Sequence, residues 1–216
     1  MPLRPTTHLY PRLLGYCNVG RITEIPDVEG LSPYAVGDLV LTHAPHQAEF
    51  YASGTQILAR IPENADVVAA ATTYLFHLGY MACLTSGLRM GMKVAVVGMG
   101  TLGLTTAAMA SRAGAQVSMF SDHTIHKPWH ANFNILEVQP KSKCDMADFD
   151  LVISSSNRWE DWAFACNIVR RGGAITCLGF PGRGQPAPKI NPLDSAWFYD
   201  KQLTIRSCGH APNLDV

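Results

Sequence analysis

Three glycines at fixed spacing carry the strongest chemical signal in the chain. They are Gly98, Gly100 and Gly103, in the run Val94-Ala95-Val96-Val97-Gly98-Met99-Gly100-Thr101-Leu102-Gly103. The four apolar, mostly β-branched residues before them read as a buried parallel strand. Leu104 to Ala113, rich in Ala and Met, reads as a helix closed by Gly114. In such a strand–turn–helix the first glycine makes the tight turn. The second lets a pyrophosphate approach the backbone, and the third lets helix and strand pack closely. The helix start, Thr101 and Leu102 included, offers free N–H groups and a positive dipole end to the phosphate. Gln116 to Phe120 supplies the second strand that this motif requires. The turn therefore points to a dinucleotide; an ordinary structural turn or a different nucleotide-like ligand is the alternative.

The elements that must position this turn follow from the rest of the chain. A length of 216 residues suits one large domain or one and a half smaller ones, and 47% hydrophobic content fills a core. A net charge of zero leaves no electrostatic footprint for nucleic acid or an anionic membrane. The six cysteines include no C-x-x-C pair, which argues against a structural zinc knot and a disulfide framework. A reducing cytoplasm is the expected compartment. Met1 to Leu14 has no apolar core and does not read as a signal peptide. Val67 to Leu88 is uncharged and long enough to span a bilayer, but reads as a buried helix packed on a sheet.

The first third is β-rich, with strands expected at 21–25, 39–42, 50–52 and 56–61. Pro62-Glu63-Asn64 forms a boundary, with Asn64 as helix cap. This divides the chain into domains 1–62 and 63–216. Beyond it, helix and strand alternate. Helices are expected from about Ala65 to Thr85 and from Trp159 to Arg171, the latter capped by Gly172-Gly173. Strands are expected at 94–97, 116–120, 135–138, 150–154, 174–178 and 203–206. The alternation implies an α/β fold with a doubly wound parallel sheet, whose ligands sit at the carboxyl ends of the strands. That rule nominates Ser121-Asp122, Ser154-Ser155 and Leu178-Gly179-Phe180 beside the glycine turn.

An ordered set of short motifs resembles the medium-chain dehydrogenase/reductase family, the superfamily of zinc alcohol dehydrogenases and quinone reductases. The set is Gly15-x-x-x-x-Gly20, Val36-Gly37-Asp38-Leu39-Val40, Pro62-Glu63, Gly91-x-x-Val94, the glycine turn, Gly114-Ala115-x-Val117, Asp150-Leu151-Val152-Ile153 and Arg171-Gly172-Gly173. It covers about residues 14 to 210. His43 to His46 and the tail from Pro192 to Arg206 are more loosely similar to a branch that includes bacteriochlorophyllide-type dehydrogenases. The resemblance implies a Rossmann domain with a small β-rich GroES-like domain, incomplete at both ends. It also implies hydride transfer at a nicotinamide.

Departures from the family pattern shape the chemistry. Tyr16 stands where zinc-dependent members carry a ligand histidine, and Cys17 where they carry the acidic neighbour. The family's upstream cysteine ligand and its four-cysteine lobe have no counterpart, so no zinc is expected. A carbonyl would then be polarised by side chains, with Tyr16 as phenolic donor and His46 or His43 as general acid. Structural roles for all three stand as alternatives, as they do for Cys17 and for His77 on the long helix. The family's acidic ribose position aligns with Ser121, one residue before Asp122. Ser121 with His123, His126 and Lys127 would receive the 2′-phosphate of NADP; Asp122 turned inward would select NAD. The former carries the preference. Leu178 to Phe180 would flank the nicotinamide side, with Ser154 a further cofactor-binding candidate.

The expected function is zinc-independent, NAD(P)-dependent oxidation or reduction of a small or medium carbonyl, alcohol or enone. The alternative is a shortened relative acting as a redox-neutral cyclase or isomerase, or as a non-catalytic partner. The edge strand 203–206 resembles the one through which family members pair, so a homodimer is expected.

Overall fold

A computed structural model describes residues 14–26, 33–122, 132–145 and 148–208. It divides into two units, one running to Tyr74 and the other beginning at Leu75. The division falls inside a helix, beyond the Pro62 boundary read from the sequence.

The first unit holds a three-stranded antiparallel sheet, β1 (Asn18–Arg21), β2 (Leu39–Thr42) and β3 (Ile57–Arg60), in that order. β1 lies earlier than the expected 21–25. Its ladder closes where Ile22 N–H donates to Asp38 O and Gly37 N–H to Ile22 O, at 2.9 and 2.8 Å. No strand forms at 50–52. There Ser53 N–H donates to Gln56 Oε1 at 3.0 Å and winds residues 54–56 into a 3-10 turn.

Helix α1 (Val67–Ser86) is capped by Asp66, not Asn64. The Asp66 carboxylate accepts the Val68 and Ala69 N–H groups at 2.8 and 3.2 Å. The expectation of a buried helix packed on the sheet holds only for part of α1. Only Gly79, Ala82, Cys83 and Ser86 are buried, all in the second half. These small residues allow a close approach: a β-carbon on Gly79 would lie 2.9 Å from the backbone of Thr105. By length and composition α1 also suits a membrane span.

The second unit is built on a six-stranded parallel sheet. Its strands are β4 (Lys93–Val97), β5 (Gln116–Phe120), β6 (Glu137–Gln139), β7 (Phe149–Ser154), β8 (Val169–Cys177) and β9 (Thr204–Ser207). The order is β6-β5-β4-β7-β8-β9, so the chain direction across the sheet reverses between β4 and β7. Side chains alternate faces along a strand. Val94 and Val96 pack with Ala82 of α1 and Ala107 of α2 (Thr101–Arg112). Ala95 and Val97 pack with Trp162 and Ala165 of α3 (Trp159–Ile168). Both faces are covered, which is why β4 reads as continuously apolar rather than alternating. Its four residues from Val94 to Val97 are fully buried, each valine contributing roughly 1.5–3 kcal/mol of burial.

α3 ends at Ile168, three residues short of the sequence-based expectation, and β8 begins at once. Lys201 explains the early stop. Its Nζ donates to the carbonyls of Cys166, Asn167 and Val169 at 2.8, 2.9 and 2.8 Å, occupying acceptors at the helix end.

Candidate functional site

The three glycines of the turn meet three different surroundings. Gly98 has φ +101°, a conformation that favours glycine. A β-carbon on Gly103 would stand 2.0 Å from Gly98 O, so this residue sets how closely α2 approaches the end of β4. A β-carbon on Gly100 would meet nothing within 4 Å: the space beside it is open. Gly100 is also the N-cap of α2 and brings no capping side chain, and the first turn carries no acid. The helix start is thus positively polarised and faces no charge of its own.

Ser155 fastens the turn. Its N–H donates to Val97 O at 2.9 Å, and its Oγ donates to Val97 O and Gly98 O at 3.1 and 3.4 Å. Around this turn lies a crevice of about 160 Å³ lined by Gly98, Met99, Gly100, Ser121, Asp122, Lys141, Ser155, Ser156, Arg158 and Asp161. Every lining residue follows the carboxyl end of β4, β5, β6 or β7, which places the crevice at the reversal point of the sheet. A larger cavity of about 450 Å³, lined by Arg171, Phe198 and Leu203 among others, lies toward the amino ends of β8 and β9, away from the turn.

Charge in the crevice is concentrated on Lys141. Its Nζ lies 2.8 Å from Asp122 Oδ2 and is also ion-paired with Asp161. The Lys141 hydrogen bond holds the Asp122 carboxyl below its ordinary value. Burial pulls the Lys141 ammonium down, but its bonds to the two carboxylates outweigh this and raise it. Arg158 lies 3.5 Å from Glu160. Lys141, Arg158 and Asp161 were not singled out in the sequence, where only the run after each strand hinted at them. His123, His126 and Lys127, read there as phosphate partners, lie outside the described residues.

The other nominated residues are distributed differently. Ser154 is buried, and its carbonyl accepts the N–H groups of Leu178 and Gly179 at 2.8 and 2.9 Å. Leu178 is buried in the core. A β-carbon on Gly179 would sit 2.5 Å from Ser156 O, so the chain after β8 lies tight against the chain after β7. Phe180 is 55% exposed; its N–H donates to Asn157 Oδ1 at 2.8 Å, and the Arg183 guanidinium lies 5.0 Å from its ring. None of Ser154, Leu178, Gly179 and Phe180 lines the crevice.

In the first unit, Tyr16 is half-exposed and meets Tyr74 edge-on at 5.7 Å. Burial, with Tyr16 and Cys17 nearby, raises the Tyr74 phenol. Cys17 Sγ donates to Ala71 O at 3.0 Å, and burial raises its thiol as well. The His46 ring lies where a β-carbon on Gly15 would go, and the His46 backbone N–H donates to Leu14 O at 2.7 Å. His43 N–H donates to Gln56 O. Their described contacts do not join Tyr16 to either histidine. Among the described residues no group of three His, Cys, Asp or Glu side chains is placed to hold a metal. In the second unit, His77 packs beside Tyr80, and burial lowers its imidazole pKa.

No family model matches the sequence, and no curated protein sequence matches it. Solved structures do. Galactitol-1-phosphate dehydrogenase from Escherichia coli is 14% identical with a TM-score of 0.78, covering 96% of this chain and 70% of its own. A thermostable alcohol dehydrogenase from Pyrobaculum aerophilum is 20% identical with a TM-score of 0.70, covering 95% and 69%. The CAD protein of Helicobacter pylori, complexed with NADP(H), is 17% identical with a TM-score of 0.71, covering 92% and 67%. At these identities the likeness is one of fold.

Proposed function

With the fold of the medium-chain dehydrogenases and reductases as premise, a Rossmann sheet and a partial GroES-like sheet, we propose that the chain is a nicotinamide-dinucleotide-dependent oxidoreductase acting on a small or medium carbonyl, alcohol or enone. One observation carries this reading: open space beside Gly100, at an uncapped helix start, inside a crevice at the reversal point of a parallel sheet. The residues fit the group. The N–H groups of Thr101, Leu102 and Gly103 would hold the pyrophosphate, while Gly98 and Gly103 shape the turn. Asp122 lines the crevice and stays ionised, so the adenosine ribose diol would bond to it. This favours NAD(H); the NADP(H) reading rests on Ser121, which also lines the crevice, and on basic neighbours outside the described residues.

When bound, the nicotinamide supplies or accepts the hydride. The proton is assigned to the Tyr16 phenol, with His46 and His43 as the alternative donors. β9 ends the sheet and pairs only with β8 among the described strands, which supports pairing of two copies through residues 203–206.

Titration with NADH and NADPH, followed by nicotinamide fluorescence, tests the reading together with turnover of a carbonyl and enone panel. Binding with turnover is the expected result. Binding without turnover would move the assignment to a redox-neutral catalyst or a non-catalytic partner. Absence of binding would end both.

A further inference from the structure

The two carboxylates on Lys141 are not equivalent. The Asp161 side chain is 9% exposed and Lys141 14%, whereas Asp122 is 50% exposed. A buried carboxylate paired with a buried ammonium is a fixed unit, because separating the two strands a charge away from water. A half-exposed carboxylate on a surface normally gains little from one ion pair and turns freely. Asp122 is different because its partner is immobilised. Asp161 belongs to the first turn of α3, and Lys141 to the 3-10 turn of residues 141–143 that follows β6. Lys141 thus joins the ends of three parallel strands, reaching Asp122 beyond β5 and Asp161 beyond β7.

We propose that Lys141, anchored by Asp161, is a positioning residue that presents the Asp122 carboxylate to the adenosine ribose hydroxyls and so sets the preference for NAD(H) over NADP(H). This rests on the dinucleotide reading above. A ribose diol donates two hydrogen bonds, and a fixed carboxylate accepts them without the entropy cost of being ordered on binding. A 2′-phosphate brings negative charge against the same group. With Lys141 on its Oδ2, Asp122 can leave only by breaking an ion pair. Arg158 also lines the crevice and helps hold the Asp122 carboxyl ionised, while Glu160 lies 3.5 Å from its guanidinium.

The test measures Kd for NADH and NADPH by calorimetry in the full chain, in K141M, in D122N and in the combined variant. In the otherwise unchanged chain, K141M weakens NADH by roughly tenfold, in line with loss of a charge-assisted hydrogen bond that orders the acceptor, and leaves NADPH nearly unchanged. In the D122N background K141M has no further effect, because the residue acts through Asp122. K141R keeps most of the preference. Removing Lys141 leaves Asp161 buried without its cation, so K141M/D161N serves as a second variant free of that charge and shows the same selective loss. Equal weakening of both dinucleotides, or an equal loss in the D122N background, would make Lys141 merely structural and overturn the proposal. A larger loss for NADPH would make Lys141 a phosphate ligand and also overturn it. If the unaltered chain binds neither dinucleotide, the dinucleotide reading itself fails, an outcome distinct from the others.

Discussion

The carbonyl oxygen of Gly98 lies 2.0 Å from the position a β-carbon on Gly103 would occupy. No rotamer change relieves a backbone atom at that distance. Gly103→Ala therefore forces α2 away from β4 and costs about 3 kcal/mol, the upper end of ordinary overpacking. Urea unfolding of the variant checks this, and a midpoint equal to that of the unaltered protein contradicts it.

Acid should weaken the second unit through Asp150. The Arg170 hydrogen bond at 2.7 Å, with the Lys93 N–H at 2.8 Å, holds its carboxyl below the ordinary value. A carboxyl depressed in the folded state contributes stability that is fully present above its unfolded pKa of about 3.9. That contribution fades as pH falls through the lower folded value. Arg170 is 40% exposed, so solvent limits the ion pair to no more than about 1 kcal/mol. Asp150→Asn should flatten part of the stability loss below about pH 4, the range set by that linkage. An unchanged pH profile would show that Asp150 titrates alike in both states.

Buried thiols should resist alkylation. Burial pushes Cys83 and Cys166 up to about 12 and Cys177 to about 11, so almost no thiolate exists at neutral pH. Iodoacetamide at pH 7.5, read by mass spectrometry, should leave these three intact in the native protein and modify them in denaturant. Fast native labelling of Cys83 or Cys166 would contradict the packing around α1 and α3.

Lys201→Met should cost about 1–2 kcal/mol, because three carbonyls at the end of α3 lose an ammonium donor. Lys201→Arg should recover part of the loss. Thermal melts of both variants check the ordering, and equal melting temperatures for methionine and lysine would refute it.

The sheet was legible in the sequence because both of its faces are covered. Val94 to Val97, Gln116 to Phe120 and Leu151 to Ser154 carry apolar runs whose length fixes them as strands, and the glycine turn marks the carboxyl edge. Local competition was less visible. Asp66 displaces Asn64 as the cap of α1 because its carboxylate reaches two N–H groups. α3 stops early because Lys201, far along the chain, takes its last carbonyls. α1 looked buried because it is apolar all round, yet only its small residues Gly79, Ala82, Cys83 and Ser86 are buried. The Asp122–Lys141–Asp161 cluster was hidden for a related reason. Its members follow three different strands, and only the parallel order β6-β5-β4-β7 brings them together.

Calorimetric titration of NADH into the unaltered protein and into Gly100→Val decides whether the glycine turn holds a dinucleotide. A β-carbon on Gly100 meets nothing within 4 Å, so the valine should be accommodated while filling the room a pyrophosphate needs. The unaltered protein should bind on the order of 1–100 μM, within the usual range for enzyme substrates, and the variant at least roughly thirtyfold more weakly, about 2 kcal/mol, while still melting cooperatively despite the poorer cap that valine makes. Equal affinity in the two proteins would contradict that role of the turn.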